Sequence, residues 1–271
     1  MCRWAAWQGA PIFLSEIITA PQHSLIDQAR DASECKTAIN ADGFGLAWYD
    51  KRPTPGLYRD VYPAWSDTNL RSLAEQVEAR LFMAHVRAST GTATSRNNCH
   101  PFVQGNWTFI HNGQVGGFER FRKAADMMIE DRFYAHRKGA TDSEALFLVA
   151  CGYGLEEDPK AAMERSVAAF EAQARQADAT PHMRMAAALS DGKTLYAVRY
   201  ASDDLAPSLY YQWNEVWKGW SVVSEPYDTS CGGWKEVPKG SFCRFTPDEV
   251  EITSFVPSDV TQIHKAAASV S

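Results

Sequence analysis

An α+β fold built on antiparallel sheets is predicted, and three observations carry the prediction. Strand-like runs come first along the chain, a block of helices follows, and strands return at the end. Strand and helix do not alternate in the way a parallel sheet requires. No glycine-rich turn joins a strand to a helix, which speaks against a doubly wound nucleotide-binding sheet.

The elements follow in order. Residues 1–8 (MCRWAAWQ) read as a short buried strand, and Ser24 to Arg30 as a brief helix or turn. Asn40-Ala41-Asp42-Gly43 is turn-forming, and the aromatic run 43–50 after it reads as a strand. The proline-rich segment 53–65 is expected to be extended loop. Leu70, Leu73, Val77 and Leu81 recur at helical spacing behind the capping candidates Asp67 and Asn69, predicting a helix over 69–80. Two strand-like runs, 80–89 and 107–112, enclose a polar loop from Thr90 to Asn98. Helices are expected at about 117–135, 142–153 and 159–178. Beyond them, 183–201 reads as a hairpin about Asp191-Gly192, a strong two-residue turn signal. Strands are expected at 208–213 and 220–226, with a last hairpin over 242–255. There is no internal repeat and no linker long enough to mark a second domain. One domain over 1–258 and a frayed, polar, alanine-rich tail over 259–271 are therefore expected.

With 271 residues and 45% hydrophobic content the chain can bury a large core. Its net charge of −6 argues against a nucleic-acid partner or an anionic membrane surface, both of which need clustered Lys and Arg. Gln8, Gly9, Pro11, Ser15 and Glu16 interrupt any secretory apolar run. Nowhere does an apolar stretch approach the roughly 18 residues of a membrane span. The six cysteines and seven histidines are dispersed, with no pairing or metal-ligand spacing. The expectation is a cytoplasmic protein with reduced thiols, needing neither a metal nor an organic cofactor.

Cys2 is the first candidate for chemistry. Removal of Met1 would place a thiol and a free α-amine on one residue, and an amine titrating near pH 8 can serve as the thiol's base. Four polar clusters accompany it: His85–Thr90, Asn98–Phe102, His111-Asn112-Gly113 and Thr141–Glu144. Each has a bland reading. Arg87 closes an apolar run, where a guanidinium is most simply held by a buried carboxylate. Asn112-Gly113 is by default a hairpin turn, Asp142 a helix N-cap, and His100-Pro101 a packing corner.

Taken together, these residues resemble the class II glutamine amidotransferases of the N-terminal nucleophile hydrolase superfamily. The resemblance rests on Met1-Cys2-Arg3, Asp42-Gly43-Phe44-Gly45, His85-Val86-Arg87, Asn98-Cys99-His100-Pro101-Phe102, His111-Asn112-Gly113 and Thr141-Asp142-Ser143-Glu144. Val223-Ser224-Glu225-Pro226, Trp234 and Val237-Pro238 continue it in the family's order. It implies a four-layer α/β/β/α sandwich of two antiparallel sheets. It also implies Cys2 as the nucleophile and an oxyanion hole made by the Asn112 side-chain amide and the Gly113 N–H. Arg87 would grip the substrate α-carboxylate, Asp142 would pair with its ammonium, and Thr90 would add hydrogen bonds. The glycine at 113 would let backbone approach the substrate.

The pattern departs from ammonia-feeding members in Ala88-Ser89-Thr90-Gly91, where they often carry Trp-Ala-Thr-His. No acceptor domain is evident. A standalone γ-glutamyl amide hydrolase, similar to the one of ergothioneine synthesis, is the first expectation. A glutaminase subunit supplying a separate ammonia-accepting synthetase is the second. A bile-acid or penicillin amidase, and a binding protein that keeps the pocket without chemistry, stand behind them. Trp4, Trp7 and Trp48 are expected to pack in the core, with an aromatic leaving-group pocket as their other reading.

Overall fold

The structure is a computed structural model; it describes residues 2–34, 39–89, 91–228, 233–247 and 249–258. Met1, Thr90 and the tail 259–271 lie outside the described residues.

In chain order the first elements are β1 (Arg3–Phe13), α1 (Ser15–Ile18), α2 (Leu25–Arg30), β2 (Phe44–Tyr49) and β3 (Gly56–Asp60). A short 3-10 turn, Ala64–Ser66, leads into α3 (Thr68–Gln76) and β4 (Glu78–Val86). After a second such turn, Arg96–Asn98, come β5 (Phe102–Gln104) and β6 (Trp107–Val115). The helical block is α4 (Phe118–Met127), α5 (Asp131–Tyr134), α6 (Asp142–Gly152) and α7 (Pro159–Gln176). The chain then gives β7 (Met183–Ser190), β8 (Leu195–Ala201), β9 (Tyr210–Asn214) and β10 (Gly219–Val223). The last described elements are β11 (Lys235–Glu236), β12 (Ser241–Phe245) and β13 (Val250–Ser254).

Two sheets form. One has seven strands in the order β11-β9-β10-β1-β4-β2-β3, the other six in the order β13-β12-β8-β7-β6-β5. Every paired strand is antiparallel to its neighbour. The fold class is thus α+β, as the element order predicts. Side-chain alternation along the strands builds the layers. In β1, Trp4 and Ala6 face the second sheet, where Ile110, Ala186 and Ala188 meet them, while Ala5 and Trp7 face α1, α2 and α3. In β6, Ile110 lies between the sheets and Phe109 packs against α6 and α7. Helices therefore cover the outer face of each sheet, giving four layers. Trp4 and Trp7 are fully buried in these cores and Trp48 packs at the edge of one.

Several local expectations change. The proline-rich 53–65 contains β3, which pairs with β2 (Leu46 opposite Tyr58). The helix expected over 117–135 is two helices, because Glu130 takes an extended ψ of 143°. The 191–192 hairpin closes through a longer connection, with Asp191 Oδ1 accepting from the N–H groups of Lys193 and Thr194 at 2.8 Å each. Asn112-Gly113 is not a turn: both residues lie inside β6, paired with Ala186 and Met185 of β7.

Candidate active site

Cys2 immediately precedes β1, at the end of the strand next to the C-terminal end of β4. The Ala88 N–H donates to Cys2 Sγ at 3.4 Å, and the thiol reaches Ala88 O at 3.6 Å. Burial pushes the Cys2 thiol up; the Ala88 N–H and the positive charge of Arg87 pull against it.

Arg87 follows β4 and is 4% exposed. Its backbone is clamped by the turn before β2: the Arg87 N–H donates to Gly43 O at 2.8 Å and the Asp42 N–H to Arg87 O at 3.0 Å. Its guanidinium donates to Asp42 O (3.1 Å), Ser89 Oγ (3.0 Å) and Thr92 Oγ1 (2.6 Å). Among the described residues no carboxylate lies within ion-pair distance of it. The buried carboxylate expected for an interior arginine is not there. Asp42, the nearest acid in the clamp, instead accepts the Ser89 N–H at 2.6 Å. Thr90 lies outside the described residues; the hydroxyls seen on Arg87 belong to Ser89, within the 85–90 cluster, and to Thr92, which the sequence did not single out.

Asn112 points between the sheets from β6. It is 1% exposed, and neither its Nδ2 nor its Oδ1 has a hydrogen-bond partner among the described residues. Buried amides are almost always satisfied, so this open side chain has a donor and an acceptor to offer a bound group. Gly113 has φ +155°, and a Cβ there would run into the Arg184 carbonyl of β7. Close packing against β7 by itself requires glycine at this position.

Asp142 opens α6 but does not cap it. Thr141 is the N-cap, its hydroxyl accepting the Glu144 N–H at 3.2 Å. Freed from that duty, Asp142 accepts from the Val115 N–H at 2.9 Å and from the Ser143 N–H at 2.7 Å. His111 Nδ1 and Ser143 Oγ meet at 2.8 Å, a second latch between β6 and the start of α6. Asn98 joins the two halves of the site. Its Oδ1 accepts the Ala140 N–H (2.7 Å), just ahead of α6, and its Nδ2 donates to Ala93 O (2.8 Å), beside Thr92.

Two residues before Arg87, His85 meets His100, buried rings tilted at 33° with centroids 4.3 Å apart. No nitrogen of either ring has a partner among the described residues. Burial pushes His85 down to about 3 and carries His100 well below its ordinary value, so both are neutral at physiological pH and unsuited to act as a base there. The first sheet is fastened to the second by the Trp4 indole, which donates to Ala186 O at 3.1 Å, opposite Asn112 in the β6–β7 ladder. Among the described residues no group of His, Cys, Asp and Glu side chains could hold a metal ion, and no helix is long and apolar enough to cross a membrane.

Comparison with known proteins decides the family. The glutamine amidotransferases class-II match residues 16–211. The chain belongs to the class II glutamine amidotransferases, and it is an enzyme of that kind. It is 32% identical, over 89% of its length and 80% of the relative's, to the Saccharomyces cerevisiae protein named "Probable glutamine amidotransferase DUG3". To the gamma-glutamyl-hercynylcysteine sulfoxide hydrolase of Mycolicibacterium smegmatis it is 27% identical, over 88% of this chain and 92% of that one. A solved glutamine aminotransferase class-II domain protein from Silicibacter pomeroyi superposes with TM-score 0.79 at 48% identity, covering 95% of this chain and 100% of the other. The PRPP amidotransferase of B. subtilis shares the fold at 14% identity, with TM-score 0.64 over 96% of this chain and 50% of that one.

Proposed function

We propose that this amidotransferase hydrolyses the amide of glutamine or of another γ-glutamyl compound with Cys2 as its nucleophile. The observation that carries the reading is Arg87: a buried guanidinium with no described carboxylate, one residue from the Ala88 N–H that contacts the Cys2 sulfur. A buried charge without a counter-ion is costly, and an α-carboxylate would supply that counter-ion bidentately. Asp142, whose carboxylate is held at the end of β6, takes the α-ammonium. Charge thus selects a zwitterionic amino-acid end and leaves the γ-carbonyl for the thiol.

The chemistry then runs in two halves. With Met1 removed, the Cys2 nitrogen is an amine that accepts the thiol proton. Sulfur attacks the γ-carbonyl carbon and the carbonyl π pair moves onto oxygen. The open Asn112 Nδ2 and the Gly113 N–H stabilise that oxyanion. The pair returns, the C–N bond breaks, and the amine leaves with the proton the base held. Water attacks the γ-glutamyl thioester, releasing glutamate and restoring the thiol. The likeness to the gamma-glutamyl-hercynylcysteine sulfoxide hydrolase of Mycolicibacterium smegmatis supports the hydrolase reading. Four described cysteines, Cys2, Cys99, Cys151 and Cys243, are unpaired, consistent with a reducing, cytoplasmic setting.

The test is labelling by a glutamine-like electrophile such as diazo-oxo-norleucine, with mass spectrometry of the N-terminus. One adduct is expected, on a Cys2 that has lost Met1, and Arg87→Ala abolishes it. Cys2→Ala folds normally and has no amidase activity. Labelling at Cys99 or Cys151, or near-normal turnover by Cys2→Ala, overturns the proposal.

A further inference from the structure

A cleft of about 680 Å³, whose lining does not include Cys2, lies on the helix-covered face of the seven-stranded sheet. Its walls include Glu16, His23, Ser33, Trp217, Tyr227 and Asp228, and none of the residues assigned above to the γ-glutamyl site. The volume is that of a small-molecule site.

The walls are built and held. Trp217 is presented by the β9–β10 turn, whose shape Asn214 Oδ1 fixes by accepting the N–H groups of Val216 (3.0 Å) and Trp217 (2.9 Å). The Trp217 ring meets Trp7 edge-on at 6.1 Å. Tyr227 is pinned by its hydroxyl to Ser221 (2.8 Å) and by a perpendicular contact with Trp234 at 5.0 Å. The inner wall rests on Glu225, whose carboxylate meets Arg3 (2.9 Å), His23 (2.6 Å) and the Ser33 hydroxyl (2.6 Å). The one basic side chain of the lining, His23, is therefore turned onto Glu225 and away from a ligand.

What remains open is acidic, beside the half-buried Trp217 ring and the edge of the buried Tyr227. Glu16 has no hydrogen-bond or ion-pair partner among the described residues. Asp228 accepts the Trp234 indole N–H on Oδ1 at 3.2 Å, which leaves Oδ2. Among the described residues no lysine or arginine lines the cleft. Two carboxylates beside fixed aromatic rings, with no lysine or arginine among the described lining residues, are the chemistry that recognises an ammonium group: Coulomb attraction from the acids and cation–π attraction from the rings.

We propose that this cleft is a binding site for a small organic cation bearing a quaternary or primary ammonium, separate from the γ-glutamyl site. The probe is choline, titrated by calorimetry into the full chain at constant ionic strength, with its neutral isostere 3,3-dimethylbutan-1-ol alongside. One saturable site for choline is expected, at least tenfold tighter than for the isostere. The Glu16→Gln/Asp228→Asn variant weakens choline at least tenfold. Binding is unchanged after the Cys2 thiol has been capped by a glutamine-like electrophile. Absence of saturable binding, equal affinity for the isostere, or indifference to the double variant overturns the proposal. Loss of binding on capping Cys2 overturns the separateness of the site. The choline, isostere and double-variant readings are direct binding, so failure of the amidase chemistry leaves them intact; only the capping arm needs a reactive Cys2.

Discussion

Arg87 and His85 sit two positions apart on one strand end, and burial treats them oppositely. Arginine cannot shed its proton, so it keeps its charge and recruits the Asp42 carbonyl and two hydroxyls. Histidine can, and desolvation holds His85 neutral with its pKa pushed down from 6.5 to about 3. The sign follows from linkage: between those values the unfolded chain binds a proton that the folded one refuses. His85 therefore contributes full stability above about pH 6.5, and this is lost as pH falls toward 3. Urea unfolding followed across that window should show stability falling with acid, with up to about 1.4 kcal/mol per pH unit for each such histidine. His85→Phe should be less steep by about one proton; an unchanged slope would rule His85 out as a source. At this scale the sequence was informative where a residue's neighbours in the chain announce it, as with Cys2, Arg87, Asn112 and Asp142. Thr92 went unremarked, and Asp42 and Glu225 entered only as motif letters, because the groups they hold are brought to them by the fold. Arg3 and Glu225, 1% and 2% exposed, meet from opposite ends of the chain.

At the scale of elements, the start of α6 divides its labour between adjacent side chains. Thr141 satisfies the helix amide of Glu144, which leaves the Asp142 carboxylate for Val115 and, under the proposed mechanism, for the substrate. Thr141→Ala removes the cap and should cost about 1 kcal/mol, lowering Tm by roughly 2 °C; Thr141→Ser should restore it. A Tm unmoved by the alanine change would mean that another group caps the helix. The capping signal was visible in the letters, but Thr141 and Asp142 both qualify, and only the geometry separates them. β3 was hidden for a related reason. Its prolines, Pro53 and Pro55, lie just outside it, and it is an edge strand whose pairing comes entirely from β2. The break before α5 carries no proline or glycine, so periodicity ran through it.

For the whole molecule, the inter-sheet core is what brings the two halves of the site together. Trp4 is the joint: fully buried, two residues from Cys2, and bonded to Ala186 across the sheets. Trp4→Ala should cost about 3–5 kcal/mol in chemical denaturation, while Trp4→Phe, which keeps most of the ring but drops the N–H, should cost far less. Equal losses for the two would mean that the hydrogen bond, not the packing, carries the joint.

The sequence by itself determined the fold class, the order of the elements and the ordered set of polar motifs, because periodicity, turn chemistry and motif spacing are local properties of a chain. Only the tertiary structure decided that Asn112-Gly113 is strand rather than turn, that Thr141 rather than Asp142 caps α6, and that Arg87 stands without a described carboxylate. Each of those depends on which backbone and side-chain groups distant segments deliver, and hydrogen-bond satisfaction in a buried site is settled by neighbours in space.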